Sequence, residues 1–183
     1  MLLKKRKETN RTKEITLIAM LAAIIAVSGT FKIPSPFVGT EFQLSAPIAV
    51  VIAALFGFKR YLSAGIIASG INMLIGTHTI VNVLVAMIFR IVAGGIISIF
   101  GTTLIILIVA GPIGTLVARF VLAAVLDVNP AILIVAALPG MIFTAIITAI
   151  VFPIAKKNMK LTIFQDFIIN HENKMGSRKY ESI

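Results

Sequence analysis

Between Ile15 and Phe31 the chain reads ITLIAMLAAIIAVSGTF, with no charge anywhere in the run. About 17 residues rising ~1.5 Å each make a rod of ~25 Å, enough to cross most of a bilayer core. In lipid a segment must satisfy its own backbone polar groups, so such a run is helical. Ala19, Ala22, Ala23 and Ala26 fall at i, i+3, i+4 and i+7, which is one helical face, and Gly29 lies only slightly off that line. Leu17, Leu21, Ile24 and Ile25 occupy the rest of the circumference. Leucine gains nothing by exchanging a lipid tail for another helix, so association in a membrane rests on close packing, which small residues permit. The stripe therefore predicts a close helical neighbour, either a partner protein or a later helix of the same chain.

The rest of the chain continues in that manner. Hydrophobic residues make up 58% of the 183, charged residues 13%, and the mean hydropathy is +1.05. Soluble domains carry about 25% charged residues, and runs of ~18 apolar residues mark spanning helices. The fold class expected is an all-α integral membrane protein. A membrane barrel is excluded because its strands alternate polar with apolar, and the runs here are continuous. Without cysteine there are neither disulfides nor thiolate metal sites. The net charge of +10 would suggest nucleic acid in a soluble protein. Here the basic residues gather at the two ends, so membrane orientation accounts for them and no nucleic-acid partner is expected.

Three segments follow: a basic cytoplasmic tail (1–14), a membrane domain of six transmembrane helices (15–157) and a cytoplasmic C-terminal tail (158–183), with both termini inside. Lys4, Lys5, Arg6, Lys7, Arg11 and Lys13 set the orientation. The tail, the run Ile15 to Val27 and the pair Ala26 and Ser28 imitate a cleavable signal peptide, but the spanning helices that follow need none. KIPSPFVGTEFQ (32–43) is the first outer loop, since Pro34 and Pro36 forbid helix. Helix 2 is predicted over 44–58, with a cytoplasmic turn at Lys59 and Arg60, and helix 3 over 62–75. From Ile80 to Leu126 about 47 residues would make one helix of ~70 Å, so the run must fold back. Gly101-Thr102-Thr103 is the preferred turn, with Gly111-Pro112 as a kink or the competing turn. DVNP (127–130) makes the third outer loop, and helix 6 is predicted over 131–155, ending near Pro153. Leu161 to Ile169 suits a short amphipathic piece on the lipid surface.

Few residues are equipped for chemistry. Arg90 and Arg119 stand within predicted spans, whereas all 7 acidic residues fall in loops or tails. An intramembrane arginine needs a partner or water, which makes both candidates to hold a solute anion. The competing readings are an ion pair of Arg119 with Asp127, and Arg90 bonded to backbone carbonyls at a helix break near Gly94-Gly95. Asn72, His78 and Asn82 cluster at outer helix ends, with His78 and Asn82 four residues apart. Asn129 in the third outer loop and Gln43 and Phe37 in the first complete the candidate solute-binding set. With no cysteine and no second buried histidine beside His78, no metal site is expected. There is no GxxxxGK[ST] loop, HExxH, carboxylate pair or serine with a base, so no ATP hydrolysis, catalytic residue or cofactor is expected.

The short helices, the AxxxA stripe of helix 1 (Ala19 to Ala23, overlapping Ala22 to Ala26), the Pro-rich first outer loop and the basic cytoplasmic ends resemble the substrate-binding S components of energy-coupling factor (ECF) transporters, over residues 13–157. The resemblance implies that Ala19, Ala22, Ala23 and Ala26 dock on a membrane coupling subunit driven by two ATP-binding cassette ATPases. It further implies uptake of a vitamin-like or amino-acid-like molecule across a bacterial or archaeal plasma membrane, with the subunit toppling in the bilayer. Within that family, ALFGFKRYLSAGIIASGINMLIGT is similar to the tryptophan-transport branch, although that branch's Asp-Lys pair is missing. PSPFVGTEFQL is similar to the biotin branch, whose GPTGGY stretch is absent, and without tryptophan there is no thiamine-type indole cage. The solute expected is part apolar, with an anionic group opposite Arg119. Two other classes stay open: a structural or assembly subunit of another membrane complex, and a membrane-embedded lipid-modifying enzyme.

Overall fold

The computed structural model describes residues 2–34, 41–159 and 167–168. Six helices follow in order, α1 (Leu2–Thr30), α2 (Ser45–Phe56), α3 (Phe58–Leu74), α4 (Ile80–Phe100), α5 (Leu104–Leu126) and α6 (Pro130–Met159). Between α1 and α2 a two-stranded antiparallel ribbon forms from β1 (Lys32–Pro34) and β2 (Glu41–Gln43), with Lys32 opposite Gln43. Its Pro34 sits at an edge, where a missing N–H costs no ladder bond.

Among the described residues, four stretches are long and apolar enough to cross a membrane: Arg11–Thr30, Ile80–Phe100, Leu104–Leu126 and Pro130–Met159. Their outer faces carry large exposed aliphatics such as Ile99, Ile105, Ile132, Val135 and Ile142. Such a surface is untenable in water and ordinary in lipid. The chain is a multi-pass, all-helical membrane protein. Of the six predicted spans, α2 and α3 are the short ones, with 12 and 17 residues.

α2 is the core. It is apolar on every side, buried at Pro47 and continuously from Ala49 to Phe56, and every other helix touches it. It ends at Gly57, whose φ of 86° lies in the region that L side chains avoid. α3 begins at the next residue. The break is therefore Gly57 rather than the expected turn at Lys59 and Arg60, which lie in the first turn of α3. Two other boundaries also differ from expectation. α1 is helical from Leu2, since Lys, Arg and Glu are good helix formers and no Gly or Pro interrupts them. α6 runs through Pro139 and Pro153 to Met159 instead of stopping near Pro153, because a bundle can re-satisfy the carbonyls that proline leaves free. Gly101, with φ 92°, then Thr102 and Thr103 form the α4–α5 turn, and Gly111-Pro112 lies inside α5.

Glycines set how closely the helices approach. A Cβ on Gly111 of α5 would stand 2.7 Å from Thr144 Cγ2 of α6, and one on Gly114 would stand 3.0 Å from Ala93 Cβ of α4. One on Gly94 of α4 would meet Phe58 Cδ2 of α3 at 2.8 Å. In lipid this close approach takes the place of hydrophobic exclusion.

α1 and α3 pack side by side and run in the same direction. At one end Arg60 Nε of α3 donates to Glu14 Oε1 of α1 at 3.0 Å. At the other, Gly29 of α1 meets Asn72 of α3. Arg60 also gathers the chain beyond α6, as Nη1 donates to the Phe167 carbonyl at 3.1 Å and the guanidinium stands 4.9 Å from the Phe167 ring centre. The start of the α1 span, the start of α3 and Phe167 thus share one side of the bundle. Losing one such hydrogen bond costs about 1 kcal/mol, a factor of about five in population. Arg60→Ala is therefore expected to speed chymotryptic cleavage after Phe167 about five-fold, read by limited proteolysis in detergent. Equal rates would show that Arg60 does not hold the segment. The expected amphipathic piece at 161–169 otherwise lies outside the described residues.

Candidate solute-binding site

The buried face of α3 carries Tyr61, Ala64, Gly65, Ala68, Ser69 and Asn72, spaced so that they line the seam with α4 and α1. Arg90 of α4 enters this seam and is only 6% exposed. Its Nη1 donates to Ser69 Oγ at 2.6 Å and to Met87 Sδ at 3.5 Å. Gly65 provides the room, since a Cβ there would fall 2.5 Å from Arg90 Cδ and Nε. The bonds to backbone carbonyls at a break near Gly94-Gly95 are not formed, because α4 is unbroken there and Gly94 accommodates Phe58 and Tyr61. The Tyr61 hydroxyl, lower on the same face, is buried with no hydrogen-bond partner.

Among the residues whose side chains are described, no carboxylate balances Arg90. Glu14 is engaged by Arg60, and Asp127 sits exposed at the end of α5 in a left-handed conformation. A guanidinium held away from water costs several kcal/mol unless an anion accompanies it. Its bond to the Ser69 hydroxyl satisfies one donor and no charge. Arg119 presents a milder version on α5. It is half-buried, its Nε is enclosed without a partner, and no ion pair joins it to Asp127.

At the far end of the seam, Asn72 is 2% exposed. Its backbone carbonyl accepts from the N–H groups of Thr77 and His78 at 3.0 and 3.1 Å, which closes the turn after α3 and brings His78 back over the helix end. The amide Oδ1 is buried without a partner. Across from it stands Gly29, where an added Cβ would lie 2.9 Å from Asn72 Nδ2 and 3.5 Å from His78 Cε1. The structure thus brings Asn72, His78 and Arg90 to one seam. Asn82 is exposed in the first turn of α4, its backbone N–H directed to Thr79 Oγ1, and the expected helical pairing with His78 is absent because α4 starts only at Ile80. Asn129 is occupied as a cap, its Oδ1 accepting from Ala131 N at 2.9 Å. Gln43 closes β2, and Phe37 lies outside the described residues. Ser69, Gly65 and Tyr61 were not among the residues expected at the site. Their signal is the i, i+4, i+8 register 61-65-69, which continues to 72.

The alanine stripe is divided. Ala22 and Ala26 are 1% and 6% exposed and pack inward with Leu17, Leu21 and Ile25, while Ala19 and Ala23 face outward. The expectation that all four meet a foreign partner is corrected accordingly. The stripe straddles the edge of the buried face, so two of its members serve the chain's own packing. Among the described residues there is no cluster of His, Cys, Asp or Glu able to hold a metal ion.

The chain is 53% identical over 150 residues to "Protein BioX" of Lysinibacillus sphaericus, an alignment covering 80% of this chain and 90% of that protein. No protein-family model and no solved structure matches it.

Proposed function

The chain belongs to the BioX family, and from that premise we propose that it is a membrane-embedded solute-capture subunit of the ECF type. In this reading it takes up a biotin-related small molecule from outside the cell and performs no chemistry on it. The observation that carries the reading is Arg90, a buried cation bonded to Ser69 with no acid beside it among the side chains described. A carboxylate on the solute supplies the missing charge and turns an unfavourable burial into a charge-assisted contact. The alternative of an assembly subunit would require a partner's acid to penetrate the α3–α4 seam, where Arg90 is enclosed by its own chain. The prefix of the relative's name directs the vitamin-like solute toward biotin chemistry. The missing GPTGGY stretch argues for a related carboxylate rather than for biotin held in the manner of the biotin branch.

Energy is supplied from outside the chain, by a coupling subunit and two ATP-binding cassette ATPases in a bacterial or archaeal plasma membrane. The docking contact is assigned to Ala19 and Ala23, the outward pair of the stripe. Affinity purification from the native membrane is expected to bring down an ATPase pair with the wild-type chain, and Ala23→Leu to lose it while the isolated subunit keeps its melting temperature. A leucine there meets only lipid in the isolated chain and holds an approaching helix away in the complex. Retention of the pair by an Ala19→Leu, Ala23→Leu double variant would reject the docking assignment. Failure of the wild-type chain to retain any ATPase would reject the ECF reading itself.

A further inference from the structure

The solute-capture reading accounts for Arg90 and leaves a second buried group unexplained. Asn72 Oδ1 is an acceptor sealed from solvent that makes no hydrogen bond among the described residues, at the end of the seam where Gly29, His78 and Asn72 converge. An amide oxygen buried without a donor is unfavourable by ~1–3 kcal/mol, so such atoms are rare unless something else supplies the donor. A structural role does not require the oxygen. The turn after α3 is closed by the backbone carbonyl of Asn72, which a leucine at that position would supply equally well.

Resting on that reading, we infer that Asn72 is the second contact of the solute, accepting a hydrogen bond from a neutral N–H group such as an amide, urea or carbamate. Gly29 is the seat that keeps the amide in place, and any side chain there pushes against Asn72 Nδ2. Ser69, which bonds Arg90, precedes Asn72 by three residues on α3, a rise of only ~4.5 Å. One small molecule therefore reaches both groups. Its carboxylate lies at Arg90, deeper in the bundle, and its N–H-bearing group lies under the turn that carries His78. The site thus selects a carboxylate with a neutral N–H donor further along the molecule, and discriminates against a fatty acid of equal length. A site built around a buried hydrogen-bonding group rejects analogues that leave that group unpaired.

The full-length protein in detergent decides this with pairs of probes that differ only in the donor, the mono-amides and mono-methyl esters of aliphatic dicarboxylates with four to eight methylenes. By isothermal titration the best-fitting amide is expected to bind at least ten-fold more tightly than its ester. Asn72→Leu is expected to erase that preference while the melting temperature stays level or rises, because an orphaned polar atom has been removed. Gly29→Ala, which leaves Asn72 in the sequence but displaces its amide, is expected to weaken amide binding alone and covers the case in which the leucine variant does not fold. Equal affinity of amide and ester in the wild-type chain overturns the inference and leaves carboxylate capture standing. Absence of binding by every probe overturns both.

Discussion

Arg90→Met is expected to make the protein more stable and unable to hold a carboxylate. Most substitutions of a buried, hydrogen-bonded residue destabilise, so the predicted sign is unusual and follows from the missing counter-ion. Removing one partner of a buried ion pair strands the other charge and costs about 3–5 kcal/mol. Here no acid among the side chains described is stranded, and a flexible apolar side chain of similar length fills the notch over Gly65. The loss is confined to Ser69, whose hydroxyl can turn to a carbonyl of its own helix. The melting temperature should rise by several degrees, while affinity for the carboxylate probes falls by a factor of about 100 or more, the loss of ~3 kcal/mol that a buried charge-assisted contact represents. A fall in melting temperature together with lost binding would make Arg90 a structural cation, and unchanged affinity would remove it from the site.

Gly114→Leu should have the largest effect on folding. The first carbon of the side chain already falls 3.0 Å from Ala93 Cβ, 3.1 Å from Phe89 Cδ2 and 3.2 Å from the Phe89 carbonyl oxygen. Backbone cannot yield as a side-chain tip can, so α4 and α5 must separate, at an overpacking cost of about 3 kcal/mol. Gly70→Leu is the matched control, because nothing lies within 4 Å of a Cβ there. It should express at the wild-type level, and its helix gains up to about 1 kcal/mol from losing a glycine. Fluorescence-detected size exclusion of the two variants measures both, and similar profiles would refute the close α4–α5 approach.

The boundaries that the sequence made legible were those fixed by length. A 47-residue apolar run has to turn, and Gly101 marks where, because only a glycine there takes φ 92° without strain. Where charge and conformation compete as signals, charge misleads. Lys59 and Arg60 suggested a turn, yet Gly57 makes the break and Arg60 is engaged with Glu14 and Phe167. Proline was overread at Pro153 for a related reason, since a bundle supplies alternatives that an isolated helix lacks. The stripe on α1 shows the limit of periodicity. Spacing places four alanines on one face, but not the angle of that face to neighbours that come from elsewhere in the chain. The same holds for the site. Arg90 stands out in the sequence as a charge without acids, and Asn72 as an amide in an apolar helix. Ser69 is ordinary until α3 and α4 are laid together, 21 residues of chain separating donor from acceptor.

Because α1 and α3 meet near both extremities, through the Glu14–Arg60 ion pair below and the close approach of Gly29 to Asn72 above, the pair is expected to move as a single beam. A sideways load applied anywhere along the outward flank of α1 cannot be absorbed by bending that rod alone. It is expected to reach Ser69 and Asn72 as a displacement, so in the proposed function a partner leaning on the first helix would also disturb the residues assigned to the solute.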